Sequence, residues 1–301
     1  MISAVIHTYN EEKNIDRCLS SLSWIDEIVV IDMGSIDKTR IIAAKYKAKI
    51  HNHPYTGFVE PARNFGIEKA KGDWILIIDA DEEIPKSLVD LLLTVQKDNS
   101  YDFYRIGRKN IIFGKWIRHG GWWPDYQVRF FRKGAVSWSD KIHGLPLTIG
   151  RGMDLEVSEK LCLVHHNYQT IEQYIGRLNR YTTISAKELY LDNKRFSISN
   201  FFIEPTREFV SRYFVWEGYK DGVVGLALSM LQLSSELVSY LKLWELENYK
   251  EEKVSISQID KLITSAYKLK KYWLLSELLK EPHTSLKSFW FRLKRKLLTY
   301  G

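Results

Sequence analysis

Four carboxylates fall within five consecutive positions, directly after a run of aliphatic residues. Ile75–Ile78 predicts a buried strand, and Asp79, Asp81, Glu82 and Glu83 follow it. Like charges at this spacing repel one another, and burying them without a partner is costly. The pattern leaves two interpretations open: the acidic segment is a turn in solvent, or a positively charged partner binds it.

Asp79 and Asp81 have the residue type and spacing of ligands for a small divalent cation. They are two residues apart, so their side chains point to the same side of an extended chain. Carboxylate oxygens suit Mg²⁺ and Mn²⁺, and Mg²⁺ in proteins takes one or two carboxylates together with phosphate oxygens of a substrate. The early glycines fit neither the dinucleotide-binding nor the P-loop spacing. If a nucleotide binds, we therefore expect Mg²⁺ or Mn²⁺ held by this acidic segment to neutralise its phosphates.

Two further polar clusters follow predicted strands. "HTYNEE" begins at His7, and "DMGSIDKT" begins at Asp32. Each alone is equally typical of a turn that caps a helix, with Ser35 or Asp37 accepting backbone N–H bonds. In an open parallel sheet, however, ligands bind in the crevice at the carboxyl ends of the strands. Because all three clusters fall at such ends, we expect them to form one site.

The segments that position these clusters alternate between strand and helix patterns. The predicted strands are "SAVIH", "EIVVID", "AKIHN" and "WILIID", and the predicted helices are "EKNIDRCLSSL", "KTRIIAAKY", "PARNFGIEKA" and "PKSLVDLLLTVQ". Pro61 and Pro85 stand near helix starts, where proline is favoured. Alternation at this spacing is typical of a parallel sheet covered by helices on both faces, so the predicted fold class is α/β.

The pattern changes after this alternating part of the chain. Short aromatic strands between residues 101 and 164 predict mixed or antiparallel additions to the sheet edge. After about Ile171 the sequence has a helical pattern to its last residue. We place a domain boundary near Glu204, with an α/β domain over residues 1–204 and a helical region over residues 205–301.

The composition indicates a globular protein with an anionic partner. Hydrophobic residues make up 45% of the 301 residues and charged residues 27%, which argues against bulk disorder. The net charge of +7 and the pI near 9.1 favour a nucleotide, a phospholipid or a nucleic acid. Cys18 and Cys162 exclude a disulfide framework, which fits a reducing cytoplasm. "MISAVIHTYNEE" is not typical of a signal peptide.

Two later segments bear on membrane association. Gly222–Trp244 is apolar but carries Gln232, Glu236 and Lys242, so we expect a buried or interfacial helix instead of a membrane span. Lys287–Lys296 interleaves aromatic residues with cations, which fits an amphipathic anchor on anionic lipid and fits an ordinary packed basic helix equally. Nucleic acid is not expected, because these cations lie away from the strand-end clusters. The oligomeric state stays open, with a homo-oligomer among the alternatives.

Four segments together resemble family 2 glycosyltransferases of the GT-A fold. They are "HTYNEEKNIDRCLSSL", "DEIVVIDMGSIDKT", "ARNFGIEKAKGDWILIIDADEE" and "PDYQVRFFRKG", and the match covers roughly residues 1–190 in the family's order. The later "LVHHNYQTIEQYIGRLNRYTTISAKEL" and "GYKDGVVGLALSMLQLSSELVSYLKLWE" resemble lipopolysaccharide-core glucosyltransferase-like enzymes. The resemblance implies a Rossmann-like, mostly parallel sheet with helices on both faces, followed by a helical region.

The resemblance also implies a site for a nucleotide sugar, whose residues carry over by position. Asp79 and Asp81 stand where the family keeps its metal-binding Asp-x-Asp, and Asp79 belongs to the donor site as well. The other implied members are Thr8, Tyr9, Asn10 and Glu11 around the nucleoside, Asp32 at the base, Ser35 and Asp37 supporting that loop, and Arg63 facing the nucleotide.

Family 2 enzymes are mostly inverting, which implies a carboxylate that deprotonates the acceptor hydroxyl. We assign this general base to Asp125 in "GGWWPDYQVRFF". Trp122 and Trp123 beside it are assigned to the acceptor, because their rings can stack on sugar faces and exclude water. A loop aspartate beside two core tryptophans is the alternative interpretation, and Asp140 is the reserve candidate for the base.

The chain departs from the subgroup's pattern at one point. It has His143–Gly144 where the subgroup is expected to have His-Glu, so His143 is assigned to the acceptor without the neighbouring glutamate. His165 matches a histidine typical of the subgroup, and three roles are open for it: completing the metal shell, touching a phosphate, or supporting the structure.

The sequence thus predicts a metal-dependent, inverting glycosyltransferase that moves a hexose from a UDP-linked donor to a hydroxyl of a surface glycan or glycolipid such as lipopolysaccharide core. We expect it in the cytoplasm, peripheral on the inner face of the cytoplasmic membrane. A membrane-associated scaffold that binds nucleotide without turnover is the non-enzymatic alternative, and hydrolysis of the nucleotide sugar distinguishes the two. A phosphatase of the haloacid-dehalogenase family, which has an Asp-x-Asp motif, is disfavoured because that family places the motif on its first strand.

Overall fold

The chain separates into two compact units in a computed structural model that describes residues 1–55, 59–98, 100–139 and 146–299. The first unit contains Met1–Trp116 and Trp122–Gln169, and the second contains Ile117–Gly121 and the chain from Thr170 onward. The predicted domain boundary near Glu204 lies inside a helix of the second unit, Ile198–Val210.

The first unit alternates strands and helices in the predicted order. Its leading elements are β1 (Ile2–Thr8), α1 (Ile15–Ser20), β2 (Glu27–Asp32), α2 (Thr39–Lys45), β3 (Lys49–Asn52), α3 (Glu60–Lys69), β4 (Trp74–Asp79), β5 (Glu82–Glu83) and α4 (Lys86–Val95). The later strands are β6 (Phe103–Ile106), β7 (Arg108–Ile112), β8 (Lys115–Trp116), β9 (Gln127–Arg132), β10 (Val136–Ser137), β11 (Leu147–Thr148), β12 (Gly152–Asp154) and β13 (Leu163–His166). The strands and helices predicted before residue 100 are confirmed.

A seven-stranded sheet forms the centre of this unit, in the order β12-β6-β9-β4-β1-β2-β3. Strands β1, β2, β3 and β4 are parallel, whereas β9 runs antiparallel to β4 and β6, as the change in pattern predicted. The register places Thr8 beside Asp32 and His7 beside Asp79. The carboxyl ends of β1, β2 and β4 therefore meet at one edge, where ligands bind in open sheets of this kind.

Both faces of this sheet are buried, which explains why its central strands are apolar without alternation. Along β1, Ala4 and Ile6 pack into one hydrophobic cluster, and Val5 packs into a second cluster on the other face. Leu19 of α1 belongs to the first cluster, and Ile67 of α3 belongs to the second. The predicted α/β class, with helices on both sides of the sheet, is confirmed.

A second sheet of four strands, in the order β5-β13-β7-β8, did not follow from the sequence. Glu82 and Glu83 form β5 and pair antiparallel with His165 and Val164 of β13. Acidic residues are depleted in strands, so the propensity of this segment gives no sign of the pairing. The backbone N–H of His166 also donates to the carbonyl oxygen of Asp81 at 2.9 Å. β13 is thereby fixed beside the acidic segment that follows β4.

The second unit is built mainly from helices. They are α5 (Ile171–Leu191), α6 (Ile198–Val210), α7 (Gly222–Leu246), α8 (Ile256–Leu278) and α9 (Ser285–Thr299), with a π-helical turn at Ser211–Val215 and a 3₁₀ turn at Gly218–Asp221. The side chains of Thr170, Ser197 and Ser255 accept backbone N–H bonds at the starts of α5, α6 and α8. N-caps of this type stabilise helices by about 1 kcal/mol each, and the predicted helical pattern from Ile171 onward is confirmed.

One helical stretch in the described residues, Gly218–Leu246, is long and apolar enough to cross a membrane by length and composition. Two polar residues in it have partners on α5. Gln232 donates to the Tyr174 hydroxyl at 2.8 Å, and the Lys242 ammonium donates to the Thr182 hydroxyl at 2.9 Å. The helix packs against α5, as we expected of a buried or interfacial helix, and 22% of its most apolar 18-residue segment is buried.

Candidate functional site

The loops after β1 and β2 are held together by hydrogen bonds between their backbones and side chains. The Asn10 N–H donates to the Ser35 hydroxyl at 2.9 Å, and the Ile36 N–H donates to the Asn10 side-chain oxygen at 2.9 Å. The Glu12 N–H donates to the Asp37 carboxylate at 3.0 Å. Asn10 adopts a positive φ of 56°, a conformation that asparagine tolerates better than most residues. The two strand-end clusters therefore form one connected loop pair.

Asp32 lies at the centre of this loop pair and is fully buried. The Thr8 hydroxyl donates to its Oδ1 at 3.2 Å, and the N–H groups of Gly34 and Ser35 donate to its Oδ2 at 3.3 and 3.2 Å. Arg40 lies 3.5 Å from the same Oδ2. Both oxygens of Asp32 thus bind groups of the protein itself, and these bonds fix the shape of the loop.

An aromatic surface adjoins these loops. The rings of Tyr9 and Tyr55 are stacked, with their centroids 4.0 Å apart and their planes inclined by 8°. Glu11 is held by its backbone N–H, which donates to the Thr39 hydroxyl at 2.8 Å, and by its carboxylate, which accepts from Asn14 at 2.8 Å. Planar aromatic faces can stack on a nucleobase, so this surface can recognise a nucleoside.

The acidic segment after β4 has a positive partner, and that partner belongs to the protein. Arg129 of β9 donates through Nη2 to Asp79 Oδ2 and, at 2.7 Å, to Glu82 Oε1. Arg63 of α3 donates to Asp79 Oδ1 at 3.3 Å, and Arg108 of β7 donates to Glu82 Oε1 at 3.4 Å. Glu82 is fully buried and Arg129 is 3% exposed. The interpretation of this segment as a turn in solvent is therefore wrong.

These contacts control the charge of the site. Burial by itself would raise the pKa of Asp79, but Arg129 and Arg63 outweigh burial and hold that pKa well below its usual value. Burial would lower the pKa of Arg129, but Asp79 and Glu82 outweigh it and raise that pKa above its usual value. His7 lies beside Asp79 in the sheet. Its burial and, to a smaller extent, the positive charge of Arg63 lower the pKa of His7 to about 3. Asp79 and Arg129 are therefore charged at neutral pH, whereas His7 is neutral.

Asp81 and His165 form a second pair, which the sheet of β5 and β13 brings together. Nε2 of His165 lies 3.5 Å from Oδ2 of Asp81, and both residues are 6% exposed. Nδ1 of His165 lies 2.7 Å from Oδ1 of Asn110. Because the Asn110 amide nitrogen donates to the Trp122 carbonyl at 2.8 Å, its oxygen is the atom that faces His165. Nδ1 therefore donates to Asn110, and Nε2 is the ring nitrogen that faces Asp81.

This pair has the chemistry of a partial cation site. A histidine that ligates a metal usually donates its other ring N–H to an oxygen, as His165 does to Asn110. No group of three or more His, Cys, Asp or Glu side chains within the described parts of the chain is arranged to hold a metal ion. A cation at Asp81 and His165 would therefore need further ligands from a substrate and from water, which is the usual arrangement for Mg²⁺.

Asp125 is bound by three neighbours. Arg108 donates to its Oδ2 from Nε at 2.8 Å and from Nη2 at 2.5 Å, and Asn110 donates to the same oxygen at 3.2 Å. Gln127 donates to its Oδ1 at 2.9 Å. Burial would raise the pKa of Asp125, but Arg108, Gln127 and Asn110 lower it on balance. Asp125 is thus an anion at neutral pH, and 22% of its side chain remains exposed.

Two tryptophans precede Asp125 in the chain, and both are half-buried. The ring of Trp123 packs edge-on against Trp116, with 5.1 Å between the centroids. The carbonyl of Trp122 accepts from Asn110, which also contacts Asp125 and His165. The predicted acceptor residue His143 and the reserve base Asp140 lie outside the described residues.

Sequence reasoning missed three residues that connect these groups. Arg108 joins Glu82 to Asp125, Asn110 joins His165 to Asp125, and Arg129 joins Asp79 to Glu82. One signal was available in the sequence: the predicted strand "QVRFF" places an arginine among aromatic residues. An arginine buried in a strand needs an acidic partner, and the acidic segment after β4 is the nearest source of one.

Comparisons with known proteins identify the family. A sequence model described as glycosyl transferase family 2 matches residues 3–149. An uncharacterized glycosyltransferase of Rickettsia bellii is 30% identical over 257 residues, covering 81% of this chain and 86% of that protein. The lipopolysaccharide core biosynthesis glycosyltransferase LpsC of Rhizobium meliloti is 26% identical, over 76% of this chain and 86% of LpsC.

Two solved structures match part of the chain. Glucosyl-3-phosphoglycerate synthase of Mycobacterium tuberculosis, in complex with Mn²⁺, UDP and glucosyl-3-phosphoglycerate, is 25% identical with a TM-score of 0.31. That match covers 36% of this chain and 44% of the synthase. TarS of S. aureus is 20% identical with a TM-score of 0.42, over 74% of this chain and 45% of TarS.

The mixed sheet with helices on both faces and the polar site at its strand ends define a glycosyltransferase of the GT-A fold. The chain belongs to glycosyltransferase family 2, and its relatives include a lipopolysaccharide core glycosyltransferase.

Replacing Arg129 by methionine should destabilise the first unit strongly, because it leaves the fully buried Glu82 and the partly buried Asp79 with fewer cations. The expected loss is about 3–5 kcal/mol in urea unfolding at pH 7. Asp79 has a lowered pKa in the fold, so its stabilising contribution is present above the unfolded value of about 3.9 and is lost as pH falls through the folded value. The difference between wild type and variant should therefore shrink on acidification.

The control for this variant is Arg105→Met, which breaks the Arg105–Asp154 pair in the same unit. That pair is exposed, with 51% and 40% of the two side chains accessible, so about 0–1 kcal/mol should be lost. A loss for Arg129→Met no larger than that of the control would contradict the account of the acidic segment.

Proposed function

We propose that this glycosyltransferase moves a hexose from a UDP-linked donor to a hydroxyl of a surface glycan or glycolipid such as lipopolysaccharide core, with inversion and with a divalent cation. The observation that carries the proposal is the pairing of Asp81 with Nε2 of His165 at 3.5 Å. Asp81 follows β4, which pairs with β1, and β1 pairs with β2; β1 and β2 carry the loops assigned to the nucleoside.

In this proposal Asp81 and His165 hold Mg²⁺ or Mn²⁺ together with the donor. The cation, when bound, neutralises charge on the diphosphate and so assists its departure as the leaving group. Asn110 keeps the His165 ring oriented by accepting its Nδ1–H. Asp79 has both oxygens bound by arginines, so we assign it a positioning role beside the cation instead of a direct ligand role.

Arg63 has the features of a residue that binds the donor's diphosphate. One of its terminal nitrogens donates to Asp79, while the other, Nη1, is buried and has no hydrogen-bond partner among the described residues. A buried donor group without a partner is costly, and phosphate oxygens are strong acceptors for guanidinium groups. Binding of the nucleotide sugar would therefore give this nitrogen a hydrogen-bond acceptor. Thr8, Tyr9 and the Asp32 loop complete the donor site on the nucleoside side.

Asp125 is the proposed general base. Its carboxylate is ionised at neutral pH and partly exposed, so it can accept the proton of an acceptor hydroxyl. The same neighbours that keep it ionised also reduce its proton affinity, which limits its strength as a base. Arg108 and Asn110 hold Oδ2, so the acceptor is expected to approach Oδ1, which receives one hydrogen bond, from Gln127.

The non-enzymatic alternative is a scaffold that binds nucleotide without turnover. It predicts no need for an oriented histidine beside Asp81 or for an ionised carboxylate at Asp125. The contacts of His165 and Asp125 with Asn110 support catalysis instead. One amide then sets the position of the cation ligand and of the base. Slow hydrolysis of the nucleotide sugar in the absence of acceptor would exclude the scaffold.

The place of action is also a proposal. A lipid-linked acceptor such as lipopolysaccharide core requires the active site to work near a membrane, which fits a peripheral enzyme at the inner face of the cytoplasmic membrane. We propose that the second unit supplies this attachment. Formation of a homo-oligomer through the same unit is the alternative for its exposed apolar side chains.

Donor binding should depend on Mn²⁺ through Asp81. In a thermal-shift panel of nucleotide sugars, a UDP-hexose with Mn²⁺ should stabilise the wild type, by about 2.7 kcal/mol at a concentration of about 100 Kd. Asp81→Asn should lose the Mn²⁺-dependent part of this stabilisation. Glu83→Gln is the matched control, because Glu83 lies two residues away and contacts His166 instead of His165. Equal stabilisation of wild type with Mn²⁺ and with EDTA would overturn the proposed cation site.

Asp125→Asn should lower kcat by about 10² to 10⁴, because the amide keeps the shape and removes the basicity. Donor affinity, measured by calorimetry with UDP and Mn²⁺, should stay within about twofold, since the base contacts the acceptor. Asp154→Asn is the control, because it also removes a carboxylate paired with an arginine in the first unit. Normal turnover in Asp125→Asn would move the role to another group, with Asp140 the first to test.

A further inference from the structure

Helix α9 has one face that packs within the second unit. Ser288, Phe291, Arg295 and Leu298 are its partly covered residues, at spacings of three, four and three positions that place them on one side of a helix. The Arg295 guanidinium donates to the Ser276 hydroxyl of α8 at 3.2 Å. The phenyl ring of Phe291 contacts the His283 ring edge-on at 5.2 Å. This face fixes which side of α9 is turned away from the unit.

The opposite face carries a continuous row of exposed apolar side chains, which we call the outer stripe. Its members, with the exposed fraction of each, are Leu286 (69%), Phe289 (59%), Trp290 (51%), Leu293 (37%) and Leu297 (67%). Their spacings are those of a single helix face at about 100° per residue. A row of large apolar residues in water is unfavourable, and such patches in soluble proteins mark interaction sites.

Cations border the outer stripe on both sides. Lys287 and Lys294 lie about 80 to 100° to one side of the stripe, and Arg292 and Lys296 lie about 80 to 120° to the other side, at 100° per residue. All four are exposed, and Ser285–Thr299 contains no acidic residue. Long cationic side chains in this position can keep their charge at the lipid headgroups while their stems cover apolar surface.

We propose that α9 lies in the plane of an anionic membrane surface, with the outer stripe inserted among the lipid chains and the bordering cations at the headgroups. This geometry is that of interfacial amphipathic helices. The 15 residues of α9 span about 22 Å, which is shorter than the roughly 30 Å hydrocarbon core of a bilayer, so the helix lies along the surface and does not cross it. The partner is a lipid surface because the outer stripe combines apolar area with bordering cations on a helix that contains no acidic residue.

Another copy of the chain fits the stripe less well. Two copies of α9 meeting through their outer stripes would bring eight like charges together, four from each helix, without any acidic residue of the helix to balance them. Anionic phospholipid headgroups supply the opposite charge directly. Oligomeric state is nevertheless an outcome of the test, because a second copy is the competing occupant.

The test uses the full chain and sedimentation with vesicles. Wild type should bind vesicles of equal parts phosphatidylglycerol and phosphatidylcholine, and should bind vesicles of pure phosphatidylcholine much more weakly. The triple variant Lys287→Gln, Lys294→Gln, Lys296→Gln should bind the anionic vesicles roughly 100-fold more weakly, since each cation near such a surface contributes about fivefold. Raising the salt toward 1 M, where the Debye length is about 3 Å, should also weaken binding of the wild type to the anionic vesicles.

Matched variants separate the outer stripe from general charge and hydrophobicity. Leu297→Ser should weaken vesicle binding roughly tenfold, whereas Ile41→Ser, which removes an apolar side chain of similar exposure (64%) from α2, should not. Lys45→Gln, Lys47→Gln, Lys71→Gln removes the same number of charges from the first unit and should leave binding within about threefold of wild type.

Three results would overturn the proposal. These are equal binding of wild type and the α9 triple variant, equal binding to both vesicle types, and a wild-type dimer in light scattering that becomes a monomer in Leu297→Ser. Metal-dependent binding of UDP measured on the same variants should be unchanged, so failure of the membrane proposal is distinguishable from failure of the proposed activity.

Discussion

The structure of the site depends on one buried guanidinium. Arg129 of β9 lies between Asp79 and Glu82 and bonds to both, at a position that is almost completely removed from solvent. Without it, the end of β4 would hold a fully buried carboxylate, Glu82, and a partly buried one, Asp79, that repel each other. Because β9 pairs antiparallel with β4, the strand that lies next to the acidic segment also delivers its neutralising charge. The acidic sequence is thereby compatible with a buried sheet edge.

A second consequence concerns Asp81, the carboxylate that follows Asp79 by two positions. Asp79 is engaged by Arg63 and Arg129, while Asp81 faces the imidazole of His165. The short pairing of β5 with β13 brings that imidazole to the site, and Asn110 of β7 orients it by accepting from Nδ1. The same Asn110 reaches Asp125, so the proposed cation ligand and the proposed base share one support. The two carboxylates of the Asp-x-Asp segment therefore have different partners and, in our proposal, different roles.

The alternating part of the fold and the location of the site were predictable from local pattern. Aliphatic runs, helix periodicity and polar clusters at strand ends are all visible within short windows, and β1 to β4 follow them closely. The partners of the acidic segment were not predictable in this way, since Arg63, Arg108 and Arg129 come from three separate elements. The strand Glu82–Glu83 was missed because its residues disfavour strands, and only tertiary pairing with β13 stabilises it. Asp32 illustrates a similar limit: its position was predicted, but its bonds to Gly34 and Ser35 depend on loop geometry.

The central claim is that His165 and Asp81 together hold the cation, and pulsed electron paramagnetic resonance of bound Mn²⁺ tests it most directly. With UDP present, protein labelled with ¹⁵N at histidine should show hyperfine coupling between Mn²⁺ and one histidine nitrogen, and His165→Gln should lose that coupling. The variant should keep the fold around the site, which its amide spectrum would show. Mn²⁺ and UDP bound to wild type without any histidine coupling, or a coupling that survives in His165→Gln, would contradict the account.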